Sequence, residues 1–90
     1  MAYSAKRKLA EKIQIQFIEA DMDIGFGLVD EAKALRASGQ LESCLRVLND
    51  AEEIVADIER RLEQLGATES EAFYPLLFEL RNEITEVARE

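Results

Sequence analysis

The chain contains no histidine, and only one cysteine, one proline and four glycines in 90 residues. Without histidine there is no imidazole base, no Ser/His or Cys/His nucleophile pair and no Glu-x-x-His di-iron motif, and the commonest metal ligand is missing. A single cysteine, Cys44, excludes an intrachain disulfide and gives no sign of an oxidising compartment. So few turn residues imply few, long elements. No window approaches the roughly 18 apolar residues of a membrane span. A secretory h-region is missing too, because the basic stretch at residues 6–12 runs into Gln14, Gln16 and Glu19. The expectation is a cytoplasmic protein.

What is present is helix-forming and acidic. Hydrophobic residues make up 48% and charged residues 33%, a balance that argues against disorder. The length suits one small domain, whose core must be efficient because only about 60–65% of the surface is buried at this size. The formal net charge is −8, and the one basic cluster is Lys6, Arg7, Lys8 and Lys12. A nonspecific nucleic-acid binder needs a basic face, so no nucleic-acid partner is expected for the body of the domain. A basic protein or peptide is electrostatically easier to bind.

Three helices follow from apolar spacing. Helix 1 is expected over residues 4–37, with Ile13, Phe17, Ala20, Ile24, Leu28 and Leu35 on one stripe. Ser38-Gly39 ends it, since glycine accepts the left-handed conformation without a Cβ clash. Helix 2 is expected over residues 41–65, where Leu41, Cys44, Leu48, Ala51, Val55, Ile58, Leu62 and Leu65 alternate by three and four. That repeat favours knobs-into-holes packing, and Leu45, Val47 and Ile54 widen the stripe toward two neighbours. Gly66 stops it. Helix 3 is expected over residues 74–89, with Phe73, Leu77, Leu80, Ile84 and Val87 inward and Pro75 fixing the start. Thr68 and Glu71 have capping-box spacing, which predicts a short turn before it. The fold class is therefore all-α, an antiparallel three-helix bundle with a long first helix. Residues 1–12 form a basic N-terminal extension of helix 1, and residues 13–90 the bundle. At about 1.5 Å per residue, helix 1 is about 50 Å long and helix 2 about 37 Å, so the basic extension has no partner on helix 2.

Helix 1 carries a second apolar stripe. At about 100° per residue, Ile15, Ile18, Met22, Phe26 and Val29 lie roughly opposite the first, with acidic and amide side chains between. Two companions, one of them short, leave part of such a helix uncovered, and a long exposed apolar strip marks an interface. The expectation is that the first stripe faces the core. The second then forms an interface of Ile15, Ile18, Met22, Phe26 and Val29 for a second copy or another protein partner.

From Ala32 through Leu35, Gly39, Leu41, Cys44 and Leu48 to Ala51, with Leu28 before them, small residues alternate with large ones across a turn. This pattern resembles a single tetratricopeptide-repeat hairpin and is similar to the microtubule-interacting-and-trafficking domain, a three-helix bundle. The resemblance covers residues 28–51, and Glu31 and Ala56 depart from the repeat. It implies a helical hairpin of the kind that binds peptides or partner helices, and identifies no ligand.

Other chemical motifs fail at particular residues. Cys44 sits at a core position and reads as a small buried hydrophobe. Asp21-Met22-Asp23 opens like a calcium loop, but Phe26 stands where the turn glycine is needed and Ala32 where the bidentate Glu is needed. Gly25-x-Gly27 follows no strand, so it is no dinucleotide fingerprint. Each glycine costs about 1 kcal/mol in a helix, which points to close helix approach or a break that would make residues 28–37 a separate helix. Glu31, inside the first stripe, should be exposed or paired, with Arg46 a candidate. Glu79, Glu83, Glu86 and Glu90 form an acidic side of helix 3, a solvated face or a docking strip for a basic partner. Together these readings predict a non-enzymatic protein–protein interaction module. It needs no cofactor or metal, and no small-molecule substrate is inferred. The alternative is a structural homo-oligomer assembled through helix 1.

Overall fold

The computed structural model describes residues 2–90, with side chains from residue 6 onward. It is all-α: α1 is Ala2–Ala37, α2 Leu41–Leu62, α3 Ala67–Glu71 and α4 Tyr74–Arg89. α1 is continuous through Gly25 and Gly27, so the helix is not broken there. It ends in a Schellman motif. Gly39 takes φ 78°, its N–H donates to the Arg36 carbonyl at 3.0 Å, and the Gln40 N–H donates to the Leu35 carbonyl at 2.9 Å. The Ser38 hydroxyl donates to the Ala34 carbonyl at 2.9 Å, so the last turn keeps few orphan acceptors.

α2 stops at Leu62, three residues short of the periodic pattern. The Gln64 and Leu65 N–H groups donate to Arg61 and Leu62, three residues back, at 3.1 Å. This tighter turn still carries Leu65 into the core. α3 is the short turn expected from Thr68 and Glu71, but it starts earlier, after Gly66, and has no side-chain cap. Its Ser70 is buried and donates to the Ala67 carbonyl at 3.1 Å. Pro75 stands in the first turn of α4, where its missing N–H is no loss.

The core follows the apolar repeats of α2 and α4. Cys44, Leu48, Ala51, Val55, Ile58 and Leu62 are buried from α2, and Leu77, Leu80, Ile84 and Val87 from α4. Each fully buried large aliphatic contributes about 1.5–3 kcal/mol. Polar pairs join the helices. Gln14 and Asp21 of α1 meet Gln64, just past the end of α2, and Arg61 within it. Arg81 pairs with Glu59 at 2.6 Å, joining α4 to α2, and Lys33 pairs with Glu83 at 3.1 Å, joining α1 to α4. The molecule is an elongated 58 × 17 × 14 Å.

The face of α1 turned inward corrects the sequence reading. Ile18 and Val29 are fully buried, Met22 is 4% exposed, and Ile15 and Phe26 are half-buried against the same core. These five residues are therefore part of the chain's own packing and not an open strip. Gly25 explains how the helices come so close on this side. A Cβ built there would lie 2.8 Å from Leu80 Cδ2 and 3.5 Å from Ile54 Cγ2. A Cβ at Gly27 would meet nothing within 4 Å. Close approach is thus a property of Gly25 alone.

Candidate functional site: the outer face of α1

With the second stripe buried, the first is left outside. Leu9 is 59% exposed, Ile13 44%, Phe17 50% and Ile24 50%, with exposed Ala20 between them. They follow one another at helical spacing over about 23 Å, at about 1.5 Å per residue. Leu28 and Leu35 continue the line but are half-buried against the core. Gly27 and Glu31 are exposed on the same face. Glu31 makes no ion pair among the described residues, and Arg46 does not reach it.

One edge of the strip is held by a polar network. The Arg61 guanidinium lies over the Phe17 ring, 4.5 Å from its centroid, in a cation–π contact. Arg61 donates to Gln14 Oε1 at 3.2 Å, and Gln14 donates to Gln64 Oε1 at 2.8 Å. Arg61 Nε also faces Asp21 Oδ2 at 3.4 Å, an ion pair too long for a good hydrogen bond, and neither atom has another partner. Arg60 pairs with Asp57 one turn earlier. A hollow of about 290 Å³ opens among Gln14, Asp57, Arg60, Arg61 and Gln64. Its lining is charged and amide, without a nucleophile–base pair.

The basic cluster sits at the start of the strip. Lys6, Arg7 and Lys8 are exposed, and Gln14 is the α1 residue that meets Gln64 near the end of α2. The segment before Gln14 therefore lies toward the residues that follow α2. Arg7, Ala10 and Glu11 border a hollow with Leu65 and Gly66.

The remaining candidates separate clearly. Cys44 is fully buried. Of the acidic series on α4, Glu83 is engaged by Lys33, while Glu79, Glu86 and Glu90 are exposed. Lys33 is held above its ordinary pKa of 10.5, first by its hydrogen bond to Glu83 and then by that carboxylate's charge. Leu41 and Leu45 of α2 and Tyr74, Leu76 and Phe78 of α4 are also exposed, away from the α1 strip in sequence. Scattered exposed apolar residues are ordinary. Among the described residues no group of three or more His, Cys, Asp or Glu side chains could hold a metal ion, and no helix is long and apolar enough to cross a membrane.

Sequence reasoning found both apolar stripes but read Ile13, Phe17 and Ile24 as core. Glu31, in line with them, was the signal against that reading, because the second stripe carries no charge. No protein-family model, curated protein or solved structure matches the chain.

Proposed function

We propose that the protein is a non-enzymatic interaction module that docks another protein surface on the outer face of α1. The fold is read as a three-helix bundle, with α3 a one-turn link, in which α2 and α4 cover one side of α1. One observation carries the proposal: Leu9, Ile13, Phe17 and Ile24, each 44% exposed or more, lie in a line on one face. Contiguous apolar area of this kind is uncommon on a monomer unless it is used. Apolar anchors at i, i+4 and i+7 spacing suit a partner helix laid along the face. The resemblance of residues 28–51 to peptide-binding helical hairpins supports the same class of partner. Arg61, stacked on Phe17, fixes one anchor before binding and so lowers the ordering cost.

The test is photocrosslinking in the cell. A benzoylphenylalanine placed at Ile24 gives discrete protein adducts that disappear when Phe17→Glu is added. The same label at exposed Glu63 gives none. Adducts no more abundant at position 24 than at 63 would overturn the reading. The structural homo-oligomer is the second reading, and it is favoured by the distribution of charge along α1.

A further inference from the structure

We infer that the occupant of the α1 face is a second copy of this chain, bound antiparallel about a two-fold axis near residues 18–19. The inference rests on the interaction-face reading above and names its partner. The exposed face of α1 reads Lys6, Ala10, Ile13, Phe17, Ala20, Ile24, Gly27 and Glu31, and all eight residues are exposed in the single chain. Their spacing alternates four and three throughout, as in a coiled-coil seam. It is also the same read forwards or backwards, so an antiparallel copy falls into register without adjustment.

In that register four kinds of layer form. Lys6 opposes Glu31 of the second copy, Ala10 opposes Gly27, Ile13 opposes Ile24, and Phe17 opposes Ala20. The bulky phenyl ring meets a methyl group, and the two isoleucines meet each other. The ends of the seam close with opposite charges. A two-fold interface is self-complementary in this way, because each layer occurs twice with roles exchanged. The parallel alternative stacks Lys6 on Lys6, Glu31 on Glu31 and Phe17 on Phe17, leaving voids at Ala20 and Gly27. Charge therefore selects the antiparallel pairing. The same arrangement gives the basic start of α1, beyond the reach of its own α2, a neighbour in the segment holding Asp30 and Glu31 of the second copy.

The seam from residue 6 to 31 is about 38 Å long and about one helix diameter, 10 Å, wide. Its flat footprint of about 400 Å² is below the roughly 800 Å² per partner of a standard stable interface. The dimer is accordingly reversible and concentration-dependent.

Chains carrying Cys44→Ala with Ile13→Cys are mixed with chains carrying Cys44→Ala with Ile24→Cys and oxidised. The register predicts that the mixed disulfide forms at least tenfold faster than either homodimer. In the native background, Lys6→Glu should weaken dimerisation in sedimentation velocity, and the double variant Lys6→Glu/Glu31→Lys should restore it. Both positions are exposed, so these variants fold. Faster linkage between two copies that both carry Ile13→Cys, or monomer at every concentration up to roughly 1 mM, overturns the inference. Failure here together with adducts to a different protein at position 24 leaves the interaction face standing. Failure of both tests removes it.

Discussion

Alanine substitution at the two glycines inside α1 isolates a close contact between helices. Gly25 and Gly27 both occupy the middle of one continuous helix, so Gly→Ala gives each the same gain in helix propensity, about 1 kcal/mol. They differ in what the new methyl group meets. At Gly27 there is nothing within 4 Å, and the gain should appear in full. At Gly25 the methyl lies 2.8 Å from Leu80 Cδ2 and 3.4 Å from its Cδ1. The end of a leucine side chain can move when it has room. Leu80 is fully buried, so any such movement must be absorbed by the surrounding core. Overpacking of a close-packed core costs about 1–3 kcal/mol, which cancels or exceeds the propensity gain. In a domain of this size 1 kcal/mol moves Tm by about 4–8 °C. In thermal unfolding of dilute protein, Gly27→Ala should therefore raise Tm by about 4–8 °C, with Gly25→Ala unchanged or lower. Equal stabilisation by both substitutions would refute close packing at Gly25, and with it the inward assignment of that face.

Three further outcomes follow from the same geometry. Met22→Glu places an unpaired carboxylate in the core and should cost about 3 kcal/mol or more in urea unfolding, whereas Ile24→Glu, on the open face, should stay within about 0.5 kcal/mol. Cys44 should resist a thiol reagent in the folded protein and react at once in denaturant, because it is fully buried. The Lys33–Glu83 pair raises the lysine pKa, so its contribution is complete at and below the unfolded value and is lost as pH rises past the folded one. The Tm difference between wild type and Lys33→Met should accordingly shrink above pH 10.5, the ordinary lysine value, and stay level from pH 7 to 9.

Much of the fold is legible because its signals are local. Residues 74–89 form a helix with the bounds expected, since Pro75 can stand only in a first turn and the inward series runs unbroken to Val87. The turn at Gly39 needs a positive φ, and glycine supplies it. The end of α2 is less legible, because Leu62 and Leu65 keep the helical apolar period while the backbone between them tightens. Burial depends on period and direction, so a residue just past a helix end can still serve the core. Leu41 and Leu45 illustrate the converse. Leu41 begins the apolar repeat and Leu45 flanks it, yet both are exposed, since a repeat states what could be covered and not how far the neighbouring helix extends.

The faces of α1 could not be ranked by hydrophobicity, because the two stripes are similar in bulk. Their neighbours decide. The buried stripe is bordered by Gly25, whose missing side chain lets α2 and α4 approach, and no charge interrupts it from Ile15 to Val29. The open stripe runs into Lys6 at one end and Glu31 at the other. Burying either alone costs several kcal/mol, so this stripe makes a poor core. Within one chain the two charges are about 38 Å apart on a straight helix and never meet. In an antiparallel pair they oppose each other twice. The residues that keep this face out of the chain's own core are therefore the ones that would align it with a second copy in the pair we propose.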